Sequence, residues 1–329
     1  MDQDCVKLTT YFSDRHRIGG RPGSEALSNG GETAARILLR GTDGSGLMHQ
    51  VLTGQPLIHN HDVQSAGADL VTLERGRLLS GTIDPVGLRN DAGKAIRLTI
   101  FCHRDDLVYQ VPAFEVICEL LHRRGIAGAT ALAGVTGILH GGSRRAQFMG
   151  RGAATPMMVV AVSSEDRLGL ILPELGGLLR RPLFTLEPVH ICKRDGQFLA
   201  PPPPIPDVDD DGGQQWQQLT IYASASARHD GEPVHQALVR RLRAAGVASA
   251  TTVRGVWGFR GDRVPHGGNH HAPAITTVTA APERVSAAFS IIDIIDELTA
   301  AHGLVTSNAV TGVLTTTAAG SRRRHIRPR

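Results

Sequence analysis

Aromatic side chains are scarce, at 4% of 329 residues, so aliphatic side chains must build whatever core this chain has. Cysteine is nearly absent. Cys5, Cys102, Cys118 and Cys192 lie far apart, and no C-x-x-C spacing suggests a metal ribbon or redox motif. They read as reduced, intracellular packing residues. No apolar run approaches the roughly 20 residues of a membrane span. The opening MDQDCVKLTTYF lacks a basic segment followed by an apolar one, so no secretory signal is expected and the cytoplasm is the expected compartment. The formal charge is only +4, and part of it sits in the tail, 317–329. That tail reads as a frayed solubilising end, and nucleic acid is not an expected partner. G-x-S-x-G, H-E-x-x-H and Walker loops are all missing, so the reading is non-catalytic. Glu115, Glu119, Glu174 and Glu187 read as helix-surface or strand-end charges.

What the chain does have is internal repetition. RLTIFCH (Arg97–His103) is echoed by QLTIYAS (Gln218–Ser224), a shift of 121 that also relates Pro112 to Pro233, Gly125 to Gly246, and Gly134 and Gly137 to Gly255 and Gly258. PLFTLEPV, from Pro182, matches GLVTSNAV, from Gly303, at the same shift, and PMMVVAV, from Pro156, matches PAITTVT at 117. A damaged copy precedes these. Lys7 aligns with Arg97 at a shift of 90, Ile37–Gly44 with Thr130–Gly137 at 93, and Leu70–Glu74 with Leu183–Glu187 at 113. The last two shifts differ by 20, so about that many residues are expected to be absent between Gly44 and Leu70, with the third strand and second helix lost. The organisation is then 5–81 for a truncated first repeat, 95–195 for the second, a Pro/Asp-rich linker at 196–216, and 217–316 for the third.

In the second repeat, Leu98, Ile100 and Cys102 alternate with Thr99 and Phe101, a strand period. Ala113, Val116, Ile117, Leu120 and Leu121 form a helical stripe, and Gly125 is placed to end that helix in a left-handed turn. Ala129–Leu139, Met157–Val162 and Leu183–Ile191 read as further strands. A second helix over Glu165–Leu179 should be shortened or kinked near Pro173. The order is βαββαβ, an α+β ferredoxin-like unit, and the third repeat repeats it with helices at Val234–Ala245 and Pro282–Leu298. Two helices cover one face of a four-stranded sheet. Met157–Val162 has no polar alternation, and Phe101 and Tyr222 point away from the helices. The helix-free faces are therefore expected to pack together as an intrachain pseudo-trimer. Three separate units with wet outer faces are the alternative.

The stretches LTIYASASARHDGEPVHQALVRRLRAAGVASATTVRGVWGFRG, LTIFCHRDD and AGATALAGVTGILHG resemble domain-of-unknown-function family 190. That family is similar in fold to the nitrogen-regulatory PII proteins and the divalent-cation-tolerance CutA proteins, which are trimers of ferredoxin-like subunits. The resemblance implies a PII-like signalling role. A small-molecule effector, such as an adenine nucleotide or small anion, would bind in clefts between units, and a protein partner is implied, a membrane ion exporter included. The PII phosphate loop before the last strand is not matched by GGLLRRPLF or DELTAAHGLV.

The candidate site lies in the loop between the second and third strands. Arg144, Arg145, Arg151, Arg260 and Arg263, with glycine-exposed backbone N–H groups, are expected to bind an anion or a partner. The alternative is a divalent-metal site of CutA type at His266, His270 and His271. HNHD at His59–Asp62 is similar and isolated. The G-x-x-G pairs end strands, so they read as bulges or close backbone approaches rather than a dinucleotide fingerprint.

Overall fold

The structure is a computed structural model. It describes residues 2–13, 17–18, 21–22, 33–40, 46–53, 70–81, 95–139, 142–145, 155–210, 212–267, 273–299 and 303–314.

The second repeat runs β5 (Ala95–His103), α1 (Ala113–Arg123), β6 (Gly128–Ala133), β7 (Thr136–Leu139), β8 (Gly142–Arg145), β9 (Pro156–Ser164), α2 (Glu165–Leu178) and β10 (Leu183–Arg194). β6 pairs with β9, β9 with β5 and β5 with β10, all antiparallel. With the strands ranked by sequence within the repeat, the order is 4-1-3-2. The third repeat has β11 (Gln215–Ser224), α3 (Val234–Ala244), β12 (Ser249–Arg254), β13 (Trp257–Arg260), β14 (Pro273–Ala280), α4 (Pro282–Thr299) and β15 (Leu304–Leu314). β12–β14, β14–β11 and β11–β15 give the same order.

The first repeat supplies β1 (Asp2–Ser13), β2 (Thr33–Arg40), β3 (Gly46–Thr53) and β4 (Leu70–Ser80). β4 pairs with β1, β1 with β3 and β3 with β2, again 4-1-3-2. This corrects the expectation that its third strand is missing. GLMHQVLT places Leu47, Met48, Val51 and Leu52 in doublets rather than alternation, and pairing on both edges makes it a strand against its pattern. The segments where its helices would fall, 23–32 and 54–69, lie outside the described residues.

Two local features depart from the expected boundaries. α2 fills nearly the whole expected span, Glu165–Leu178, and is not shortened at Pro173. The strand expected over Ala129–Leu139 is broken at Gly134, because its second half leaves the repeat's own sheet. β7 pairs with β2 of the first repeat, Thr136 opposite Leu38 and Leu139 opposite Ala35. β13 does the same one repeat on, Gly258 opposite Thr130 and Arg260 opposite Gly128. The G-x-x-G pair allows this crossing. A Cβ on Gly258 (φ +150°) would collide with Ala129 O, and one on Gly255 would stand 2.8 Å from Pro273 O. Gly125 (φ +71°) closes α1 in the left-handed turn expected of it, with Ile126 N–H donating to Leu121 O.

The final strands also reach across repeats. The end of β4 pairs with the start of β10, Leu79 opposite Phe184. The end of β10 pairs with the start of β15, His190 opposite Ser307 and Arg194 opposite Leu304. The end of β15 pairs with the start of β4, Thr311 opposite Leu73 and Leu314 opposite Leu70. These three pairings form a closed circuit. Two of these strand ends also enter the next repeat's core: Leu79 lies under α1 and α2, and Cys192 under α3 and α4. The fully buried Lys193 fixes the second of these ends, its Nζ lying 2.7 Å from Asp293 Oδ1 and 2.9 Å from Asp293 O on α4.

A third core belongs to no single repeat. Cys5, Leu70 and Leu78 of the first repeat, Phe101, Leu132, Met158, Val160 and Val189 of the second, and Tyr222, Val253 and Ile275 of the third form one buried cluster. Leu98, Ile100 and Cys102 lie in the helix-side core instead. The helix-free faces therefore pack on one another. That is why Pro156–Ser163 is buried on both faces.

Candidate functional site

Strand period sets which side chains enter the shared interior. Arg97 and Thr99 lie on the same side of β5 as Phe101, so the guanidinium points into the space between the sheets. Its counterparts in the other repeats are Lys7 and Gln218. On the final strands the matching positions are Glu74, Glu187 and Asn308. These six residues meet. Arg97 Nε donates to Glu187 Oε2 at 2.6 Å and its Nη2 to Glu74 Oε1 at 2.9 Å. Lys7 Nζ reaches Glu187 Oε1 at 3.0 Å and also contacts Glu74 Oε2. Asn308 Nδ2 donates to Glu74 Oε1 at 3.2 Å, and Arg97 Nη1 lies 3.5 Å from Gln218 Oε1. Two cations face two carboxylates, and the third repeat adds only amides.

Burial disfavours the ionised carboxylate of Glu74, yet the Arg97 and Lys7 charges overcome this and hold its pKa down at about 2. Glu187 is lowered in the same way, burial being outweighed by Lys7 and Arg97. Burial also opposes the Arg97 charge, and the two glutamates reverse that, leaving it well above its ordinary value. Tyr222 beside them is pushed up to about 12, chiefly by burial. Thr9, Thr99, Thr220 and Tyr222 line the adjoining cavity of about 50 Å³. The cluster is charge-balanced and internally bonded, and its contacts join all three repeats. Glu187 is thus a buried partner and not the surface charge its sequence position suggests. The repeat register carried the signal, since charged residues recur at matching positions on the inward side of strands.

A second cavity, about 30 Å³, opens between the second and third repeats. Gly128, Val160, Arg194 and Asp195 line it from the second repeat, and Tyr222, Arg260 and Leu304 from the third. β13 carries Arg260 there by crossing onto β6. Arg194 arrives at the end of β10, held by Asp195 N–H donating to Gly303 O at 2.8 Å. Sequence reasoning missed Arg194 and Asp195, which stand far from the loop in the chain.

The other expected site residues are dispersed. Arg263 is exposed in the turn after β13 and does not line this cleft. Arg144 and Arg145 fall on β8, opposite Gly137 and Thr136, at the arm that reaches the first repeat. Arg151, His270 and His271 lie outside the described residues. His266 sits opposite Gly258 in a short ribbon, its Nδ1 2.8 Å from Val264 O. Among the described residues no three His, Cys, Asp or Glu side chains converge as a metal site. All four cysteines are buried, with thiol pKa values raised chiefly by that burial. No helix among the described residues is long and apolar enough to cross a membrane.

A solved aspartate kinase from Synechocystis is similar over 94% of this chain and 45% of its own length, at 12% identity and a TM-score of 0.25. This chain thus spans under half of that kinase, and so shallow a superposition carries no argument. The profile of the DUF190 family, described as "Uncharacterized ACR", matches residues 95–191 and again 216–312. Those two matches take in more than half of the chain, which therefore belongs to the DUF190 family.

Proposed function

We propose that this protein is a non-catalytic, PII-like sensor or adaptor whose three repeats form, within one chain, the counterpart of a trimer. Its ligand is a small anion or the phosphate of an adenine nucleotide, held between the second and third repeats. The observation that supports this is the cleft itself: Arg194 and Arg260, from different repeats, border one cavity beside the glycine backbone at Gly128 and Gly303. Guanidinium groups suit oxyanions because their planar N–H donors match two oxygens at once. Neither arginine lies near the other in sequence, so a ligand joining them reports on the relative position of two repeats. That is the property a sensor needs.

The experiment is calorimetric titration of the purified chain with phosphate, bicarbonate, fluoride, AMP and ATP, with Arg194→Gln and Arg260→Gln alongside. Saturable binding of one of these, weakened at least tenfold by either substitution with melting temperature unchanged, is expected. Absence of binding to the whole series would contradict the reading.

A further inference from the structure

The joints between repeats follow one rule, and among the described residues one of them has no arm. β7 covers the outer edge of β2, and β13 covers the outer edge of β6. By the same rotation the outer edge of β12 should receive an arm from the first repeat. Among the described residues that repeat offers none. Only the five residues 41–45 join β2 to β3, and Arg40 already pairs with Leu47 across this connection. Among the described residues β12 pairs with β14 alone. An extended strand with one free edge presents unpaired N–H and C=O groups to any chain that can align with it.

Burial points the same way. Where the arm is present, Phe259 is 1% exposed and stands edge-on to His122 at 5.0 Å, and Ile126 and Ala129 beneath are 2% and 3% exposed. The matching residues of the third repeat, Val247 and Ala250, are only half-buried. The same apolar seat exists, and no described residue plugs it as Phe259 does.

We infer that the β12 edge is a docking site for an extended segment of a partner protein, added as an antiparallel strand. The two filled joints define its chemistry. The incoming strand is about four residues long and has glycine at the close crossing, as in Thr136–Leu139 and Trp257–Arg260. A large apolar residue next to that glycine fills the seat over Val247 and Ala250. Backbone hydrogen bonds supply affinity and the seated side chain supplies selectivity. This rests on the adaptor half of the proposed function. It is independent of the anion cleft, so the two titrations fail separately.

The probe is a fluorescent peptide with the sequence of residues 255–263, GVWGFRGDR, titrated into the full chain. Saturable binding is expected, weakened at least tenfold when the peptide's Phe becomes Ala or its edge-facing amides are N-methylated, and likewise by Ala250→Arg in the protein. Hydrogen exchange reads the location. Edge-facing amides of Ser249–Arg254 should exchange faster than those of Gly128–Ala131 in the free protein, and become protected with peptide. Lack of binding, or binding indifferent to the N-methylated peptide, overturns the inference. So does protection of Ser249–Arg254 without peptide, which would mean that this chain or a second copy already covers the edge.

Discussion

The second and third repeats share a strand order and differ in what they bring to the joints. The second contributes Arg97 and Glu187 to the centre, and the third contributes Gln218 and Asn308 at the same positions. The second has its outer strand covered, and among the described residues the matching strand of the third pairs on one edge alone. Even the hairpins after the first strands differ. Tyr109 and Gln110 turn at φ +51° and +66° where the third repeat has Asp230 and Gly231 at +50° and +79°. Identical subunits must place the same residue at every equivalent position around an axis. Joined repeats need not. Here two ion pairs and one amide pair fill three equivalent places, a mixture that three copies of one repeat could not supply.

The largest effect expected from breaking this comparison is at Glu187. Glu187→Gln leaves Arg97 and Lys7 short of a carboxylate in a buried space, and should cost about 3–5 kcal/mol in urea unfolding. The double change Arg97→Gln with Glu187→Asn copies the third repeat's pair and leaves Lys7 with Glu74. It should cost less than Glu187→Gln alone, a non-additivity that a cycle with the remaining single variants would measure. Equal or additive losses would show that the amide pair is not interchangeable with the ionic one.

Acid sharpens the same contrast. Glu74 is held at about 2 when folded, against an ordinary value of 4.5, so the unfolded chain binds its proton first as pH falls. Its contribution is full above about pH 4.5 and is lost as pH drops towards 2, by roughly 3 kcal/mol at most. Glu187 is shifted in the same direction and adds to the slope. Urea midpoints of the wild type should therefore fall steeply between pH 4.5 and 2, and those of the double variant less steeply.

The smallest effect is at the hairpin. Tyr109 and Gln110 adopt a left-handed conformation that side chains disfavour, whereas an Asp-Gly pair accommodates it. Replacing them with Asp-Gly should raise stability by about 1–2 kcal/mol, seen as a higher melting temperature. An unchanged or lower value would mean that the exposed Tyr109 makes a contribution that offsets the strain.

These contrasts also mark how far the sequence could be read. Strand and helix positions in the last two repeats were legible, because Leu98, Ile100 and Cys102 alternate with Thr99 and Phe101, and Ala113 to Leu121 keep a helical stripe. The packing of the bare faces followed from Phe101 and Tyr222. The crossing of β7 and β13 was not legible, since Gly134 and Gly255 mark a break without saying which distant strand receives the next four residues. β3 was missed because Leu47, Met48, Val51 and Leu52 do not alternate. Of the expected site arginines, Arg260 lines the cleft. Its companion Arg194 could not be paired with it in advance, being brought there by a final strand that runs past its own repeat.

The most direct test concerns the closure of the final-strand circuit. Leu73→Cys and Thr311→Cys together place thiols on facing positions of β4 and β15, with the native cysteines buried. Mild oxidation at low protein concentration should give a 73–311 disulfide within monomeric chains, identified by peptide mass spectrometry. Failure to form that link, or its appearance between chains alone, would contradict a ring closed within one polypeptide.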